Sequence, residues 1–158
     1  MKVPKEETKM ANVFDVACYI LERKPDITTM KLQKLCYYAQ AWSLVWEEEP
    51  LFDEEFEAWA NGPVCPELYA AHRGMYKVPI SKFEDKKSGD EFTEDQKETI
   101  DVILRDYGDK TPVWLSELTH KERPWKETRR DLPLGSYCDT VIPKELMQDY
   151  YSGLISND

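Results

Sequence analysis

The segment from Met30 to Trp46 constrains the fold more than any other part of the chain. Twelve of its 17 residues are apolar, and the five polar residues are scattered around the helical wheel instead of being grouped on one side. A helix that is apolar on all sides is stable only when other elements cover it. The segment therefore predicts a buried central helix, for which Thr28 and Thr29 are the candidate N-caps.

The rest of the chain predicts shorter helices that can cover this central helix. Capping residues, prolines and glycines predict helices at Asn12–Arg23, Pro66–His72, Thr93–Tyr107, from Thr111–Pro112 onward, at Pro124–Trp125 and from Pro143 onward. Three aromatic or apolar segments are short enough to be strands, namely Leu51–Phe52, Phe56–Trp59 and Val78–Phe83. We expect the last of these to pair with residues 56–59.

These elements predict an α+β fold, a predominantly α-helical single domain with a buried central helix and a small β-sheet. Residues 1–11 are expected to be a flexible N-terminal tail, and residues 12–155 to form the domain. Asn61-Gly62-Pro63 is a turn signal, and the polar segment Glu84–Glu91 is the best candidate for disorder inside the domain.

The charge of the chain bears on its partners. Its 21 basic and 31 acidic residues give a net charge of −10, which repels phosphate backbones and anionic membranes. We therefore expect neither membrane binding nor direct nucleic-acid binding. The longest apolar run, Val16–Leu21, is far shorter than the ~20 residues of a membrane span. Because the N-terminus also lacks an apolar signal core, we expect a cytoplasmic protein.

Sequence motifs favour a binding protein over an enzyme. The chain lacks the motifs of phosphate-binding loops, dinucleotide-binding folds, zinc proteases and serine hydrolases. Its four cysteines are widely spaced, which predicts buried free thiols and no metal or other cofactor. They are Cys18, Cys36, Cys65 and Cys138. The alternative is a metal- or cysteine-dependent hydrolase that uses Cys65, His72, His120 or Cys138.

Two charged stretches are candidate docking surfaces for a partner. The stretch Glu47–Glu57 holds seven acidic residues and no basic one, and Trp59 follows it as a candidate anchor. The residues that we select here are Glu47, Glu48, Glu49, Glu54, Glu55, Glu57 and Trp59. The second stretch, His120–Arg130, is predicted to be a basic loop that carries Lys121, Arg123, Lys126, Arg129 and Arg130.

Four sequence blocks, read in order, resemble a known family. They are KLQKLCYYAQAW (31–42), FEAWANGPVCPELY (56–69), LSELTHKERPW (115–125) and IPKELMQDYY (142–151). Together they resemble the Panacea domain, the family of SocA-like antitoxins and phage-associated GepA-like proteins, from Asn12 to Tyr151. The motif residues are Lys31, Lys34, Trp42, Gly62, Pro63, Tyr69, His120, Pro124 and Trp125. Lys31 and Lys34 are charges on an apolar helix, and a buried amine needs a carboxylate, for which Glu57 is a candidate partner.

The resemblance implies an antitoxin of a toxin–antitoxin or phage-defence locus that neutralises a cognate toxin by direct binding. The name-giving member is understood as an adaptor that hands its toxin to an ATP-dependent Clp protease, so a Clp-type protease is a second implied partner. A phage-encoded regulator that binds a host factor is a further alternative. Toxins that act on RNA or DNA are commonly basic, and for this reason we predict docking on the acidic stretch rather than on the basic one.

Overall fold

The computed structural model describes residues 10–156 of the chain. The predicted N-terminal tail therefore lies outside the described residues, apart from Met10 and Ala11, and Ala11 is buried. The helices are α1 (Val13–Arg23), α2 (Thr29–Trp46), α3 (Pro66–His72), α4 (Glu94–Tyr107), α5 (Pro112–Lys121), α6 (Arg123–Arg129) and α7 (Lys144–Ser156). Each of the predicted helices is present.

Local capping explains where these helices begin. The side chain of Asn12 accepts a hydrogen bond from the Asp15 backbone N–H, and Thr28 caps α2 in the same way. Thr93 and Gln96 form a capping box at the start of α4. Such caps satisfy backbone N–H groups that have no partner inside the helix. The caps at all three positions were predicted.

Helix α2 is the centre of the domain, as its composition predicts. Fourteen of its residues are buried, and α1, α4, α5, α7 and the β-hairpin pack around it. Its buried Gln40 accepts a hydrogen bond from the Leu51 backbone N–H and donates one to the Phe52 carbonyl. Polar groups of the central helix are thus used to fix the segment that follows it.

The sheet is smaller than the sequence suggests. Strand β1 (Glu57–Trp59) pairs antiparallel with β2 (Gly62–Val64), with Trp59 opposite Gly62, and Glu57 also forms a bridge to Val141. The predicted strand at Leu51–Phe52 is wrong, because Gln40 takes up the backbone groups of these residues. The turn is at residues 60–61, so Gly62 and Pro63 belong to the second strand instead of the turn.

The segment between α3 and α4 also differs from the prediction. Val78–Phe83 does not pair with β1, because this segment contains a short 3₁₀ helix, Ile80–Lys82, that lies against α1. A second 3₁₀ helix, Glu84–Lys86, follows it directly. Residues 84–91, predicted as a candidate for disorder, are fixed to α1 because Ser88 donates its hydroxyl and its backbone N–H to the Asp15 carboxylate.

The predicted fold class is confirmed: the domain is a predominantly helical α+β fold with a two-stranded antiparallel sheet. Within residues 10–156, none of the helices combines the length and the apolar character that crossing a membrane requires.

Candidate functional site

A pocket of about 380 Å³ opens between α2, the β-hairpin, α3 and the loop that follows α6. Its walls are mostly apolar or aromatic, and most of its polar groups come from α2 and α3, with Asn61 added by the hairpin turn. The lining includes Gln33, Lys34, Trp59, Tyr69, His72 and Tyr137. Three of these residues, Lys34, Trp59 and Tyr69, were selected from the sequence as motif or partner-binding residues. We call this cavity the Lys34 pocket.

Lys34 is the chemical centre of the pocket. Only 1% of the residue is exposed, and among residues 10–156 its ammonium group has neither a hydrogen-bond partner nor an ion-pair partner. The predicted pairing with Glu57 is wrong, because the Glu57 carboxylate accepts a 2.7 Å hydrogen bond from Trp59 Nε1. Side chains alternate along a strand, so Glu57 and Trp59 lie on one face of β1 and the buried Ala58 lies on the other.

Burial changes the acidity of this lysine. Removal from water disfavours the charged form and lowers the pKa of Lys34 from 10.5 to about 8, with no contribution from any carboxylate. At pH 7, below this pKa, the protonated amine is therefore still the major form. The pocket thus holds a buried positive charge that no acidic side chain balances.

Gly62 is the residue that gives the Lys34 side chain its space. Its φ of +117° is a backbone conformation that side-chain-bearing residues rarely adopt. A Cβ atom at this position would lie 2.5 Å from Lys34 Cε and 2.9 Å from Thr119 Oγ1. Glycine is therefore required both by the backbone angle and by the approach of the lysine.

His72 is held as a neutral ring at the wall of the pocket. The Gln33 side-chain oxygen accepts a 2.9 Å hydrogen bond from the Cys65 backbone N–H, which leaves Gln33 Nε2 facing His72 Nε2 at 3.0 Å. An amide nitrogen only donates, so His72 Nε2 accepts and the proton is assigned to Nδ1. Burial, with a smaller effect of Lys34, lowers the pKa of His72 below its usual value.

His120 also lies near the charge of Lys34, but it belongs to helix α5 instead of α3. It occupies the last turn of α5, and not a basic loop as the sequence suggested, and its ring stacks on Trp125 at 4.0 Å between centroids. Burial first, and then Lys34 and Arg129, lower the pKa of His120. Its Nε2 atom is buried and has no hydrogen-bond partner within the described part of the chain.

The predicted basic loop is in fact the pair of helices α5 and α6, and its charges do not form one surface. Arg129 is buried and donates to the carbonyl oxygens of Ala58, Pro133 and Ser136. Arg123 pairs with Glu127 at 2.6 Å. Of the basic residues in this stretch, Lys121, Lys126 and Arg130 are exposed, and their side chains form no ion pair with the other described residues.

The predicted acidic stretch divides into two parts. Glu47–Glu49 follow the end of α2, whereas residues 53–55 and Glu57 line a groove of about 490 Å³ to which α3 adds Glu67. We call it the acidic groove; its acidic residues are Asp53, Glu54, Glu55, Glu57 and Glu67. The hydrogen bond from Trp59 to Glu57 joins this groove to the Lys34 pocket. Sequence reasoning had placed Glu67 only at the start of a helix.

The sequence model of the family described as antitoxin SocA-like, Panacea domain, matches residues 32–126, more than half of the chain. The chain belongs to this family. No curated protein and no solved structure matches the chain significantly. The matched Panacea region begins in α2 and ends in α6, so it contains Lys34, Gly62, His72 and His120.

Most of the other residues that were selected from the sequence as motif residues pack in the fold. Trp42 stacks on Trp46 and donates a hydrogen bond to the Tyr107 hydroxyl. The Tyr69 ring packs against Trp59, with 4.9 Å between centroids. Pro63 is buried in β2, and Pro124 is buried in the first turn of α6. Lys31 is half-buried and lines a separate groove beside Lys24 and Asp26.

The cysteines of this Panacea domain are all buried free thiols, as predicted. Burial raises the pKa of Cys65 to about 12 and that of Cys18 to about 11, so both stay protonated at neutral pH. A thiol in this state is a weak nucleophile. Among the described residues, no three or more His, Cys, Asp and Glu side chains are placed to hold a metal ion together.

Proposed function

We propose that this chain is an antitoxin that neutralises a cognate protein toxin by binding it directly. The observation that carries the proposal is the match to the SocA-like Panacea family over residues 32–126. Large apolar side chains at the mouth of the Lys34 pocket support it, because Tyr137 is 80% exposed and Met30 is 37% exposed. Exposed aromatic residues around a pocket are typical of sites that contribute most to protein–protein binding.

The acidic groove is the proposed steering surface for the toxin. It carries the negative charge that attracts a basic protein over a Debye length of about 8 Å. Trp59 stands between this groove and the Lys34 pocket, so a toxin drawn to the acidic side chains meets the apolar rim next. Glu47–Glu49 add to the same field from the end of α2.

Co-expression with the protein encoded beside this chain tests the function itself. We expect that the neighbouring protein alone arrests growth of a bacterial host and that co-expression of this chain restores growth. The matched control is the chain with Trp42 replaced by alanine, which we expect to misfold and not to restore growth, since it loses a large core side chain. Continued growth arrest despite soluble, folded antitoxin would contradict the proposal.

Charge reversal tests the docking surface. Replacing Asp53, Glu55 and Glu67, three exposed residues of the acidic groove, with lysine should slow toxin association by about tenfold at low salt and flatten its salt dependence, because long-range attraction sets the encounter rate. Association and dissociation rates are measured by surface plasmon resonance at several ionic strengths.

The control for this experiment changes three charges of the opposite sign. Lys121, Lys126 and Arg130 are exposed, and their replacement with glutamate should change the association rate by less than about twofold. Arg129 is unsuitable for this control, because it is buried and binds three backbone carbonyls. A larger effect of the basic set than of the acidic set would place the docking surface on α5 and α6.

A further inference from the structure

We propose that the Lys34 pocket is a binding site for a carboxylate that is joined to an apolar or aromatic group. The inference goes beyond the antitoxin role, since it concerns the ligand chemistry of one cavity. Its first basis is the Lys34 ammonium, which is buried in the pocket lining and has no hydrogen-bond or ion-pair partner among residues 10–156. A buried charge without a partner is costly to the fold, and an anion that enters the pocket removes that cost.

The second basis is the charge balance around the pocket. In a chain with 31 acidic and 21 basic residues, no carboxylate acts on Lys34. Glu57, the candidate partner that the sequence offered, forms no ion pair with Lys34 among the described residues and accepts a hydrogen bond from Trp59 instead. His72 and His120 flank the lysine as rings whose pKa is lowered, which favours their neutral form, and a neutral imidazole does not balance the charge of the lysine. An anion that binds in the pocket would therefore balance the charge of Lys34.

The number of donors indicates which anion fits. Among the described residues, Lys34 is the one Lys or Arg side chain in the lining; the Gln33 amide is already bonded to Cys65 and His72, and Asn61 adds a neutral amide at the exposed rim. Phosphate carries more charge and is usually held by several donors, often arginines or backbone N–H groups. A carboxylate carries a single charge and matches a single ammonium.

The walls indicate what the carboxylate is attached to. Met30, Trp59, Val64 and Tyr69 give the pocket a mostly apolar surface, and its volume of about 380 Å³ is in the range of small-molecule sites. The Trp59 and Tyr69 rings pack edge to face and offer a flat group an aromatic wall. Both a free organic acid and a carboxylate presented by a bound protein have this chemistry.

Calorimetric titration with phenylacetate tests the site in the purified chain. We expect phenylacetate to bind and the uncharged phenylacetamide to bind at least tenfold more weakly, because the amide has the same shape but no charge. The variant Lys34→Met should also reduce phenylacetate affinity at least tenfold. Lys31→Met is the matched control: it removes a lysine of the same helix that does not line this pocket, and affinity should stay within twofold.

The pH dependence adds a readout that a purely structural role of Lys34 would not produce. Because the carboxylate binds the protonated amine, whose pKa in the free protein is about 8, affinity should be level below pH 7 and fall about tenfold per pH unit above pH 8. At pH 8, binding should take up close to half a proton, which titration in two buffers of different ionisation enthalpy measures.

Two results overturn the proposal: phenylacetate and phenylacetamide bind equally or not at all, or Lys34→Met binds phenylacetate as well as the unaltered chain does. Either result leaves the antitoxin function untouched, since the titration contains no toxin. Measurements of toxin binding show whether the natural carboxylate belongs to the toxin or to a free organic acid. If the toxin supplies it, phenylacetate competes with the toxin and Lys34→Met weakens the complex; if a free acid supplies it, neither effect occurs. Both of these outcomes support the site.

Discussion

Gly62 and Lys34 are two residues whose roles depend on each other. The lysine methylene chain fills the space that a side chain at position 62 would need, and the positive φ of Gly62 excludes most other residues. Both positions lie in the region that matches the Panacea family, and the structure gives a steric reason for the pair.

Replacement of Gly62 with alanine should therefore cost more than backbone strain alone. Gly74 is the matched control: it also has a positive φ, of +82°, but a Cβ there meets nothing within 4 Å. We expect Gly62→Ala to lower the free energy of unfolding by about 3 kcal/mol and Gly74→Ala by about 1 kcal/mol, as measured by urea denaturation. Equal losses in the two variants would show that Lys34 does not press against Gly62.

The buried amine of Lys34 also predicts a pH dependence of stability. Its pKa is about 8 in the folded chain and 10.5 in water, so between these values the unfolded chain binds more protons than the folded one. Stability therefore rises with pH through this window. Relative to Lys34→Met, the unaltered chain should gain about 2 kcal/mol of unfolding free energy from pH 7 to pH 9.5.

Urea denaturation of both proteins at the two pH values measures this difference. Comparison with Lys34→Met cancels the tyrosines and cysteines, which titrate in the same range in both proteins. A difference that is constant with pH would mean that the amine of Lys34 titrates as it does in water.

At the scale of elements, Arg129 connects helix α6 to the sheet and to the following loop. Its guanidinium donates to the Ala58 carbonyl in β1 and to the carbonyls of Pro133 and Ser136, and it lies 4.9 Å from the Trp125 ring centre. The loop that it holds carries Tyr137, which lines the Lys34 pocket. A compact ammonium cannot make this planar set of contacts.

Arg129→Lys should accordingly loosen the loop of residues 130–141. We expect a loss of about 2–3 kcal/mol in unfolding free energy and faster amide hydrogen exchange in this loop, because buried carbonyls lose charged donors. Arg130→Lys, an exposed neighbour, should change stability by less than about 0.5 kcal/mol. Unchanged exchange in the loop of Arg129→Lys would contradict the role of Arg129 as its anchor.

The elements also show what sequence patterns can and cannot predict. Caps at Asn12, Thr28 and Thr93 are local, and the helices that they begin were predicted to within a residue or two. Strands of three residues have no periodicity to detect, so β2 was assigned to a turn. The segment at Val78–Phe83 has strand-like composition, but its backbone folds into a 3₁₀ helix against α1.

At the scale of the whole molecule, the candidate site depends on contacts between distant segments. The sequence marked Lys34, Gly62, Tyr69 and His120 through the family motif, but it did not reveal a pocket. Lys34 is on α2, Gly62 on the hairpin and His120 on α5, and tertiary packing alone brings them together. The same packing gives the Glu57 carboxylate, the candidate partner of Lys34 in the sequence, a hydrogen bond from Trp59 instead.

The distribution of charge is also a property of the whole molecule. The net charge of −10 was evident from composition, but the division of the acidic stretch into a groove and a separate cluster was not. Two residues of the basic stretch add little to the positive charge of the surface, since Arg129 is buried and Arg123 is paired with Glu127. The exposed field near Trp59 is therefore acidic, which agrees with the proposed attraction of a basic toxin.

Inhibition of the purified toxin by the purified chain, with no protease present, tests the central claim most directly. Toxin activity is followed while the chain is added in steps, and the mixture is then examined by size-exclusion chromatography with light scattering. If direct binding neutralises the toxin, activity falls to background at a fixed molar ratio and the two proteins elute as one complex. Full toxin activity in the presence of excess folded chain, or neutralisation only after a Clp-type protease and ATP are added, would contradict the claim.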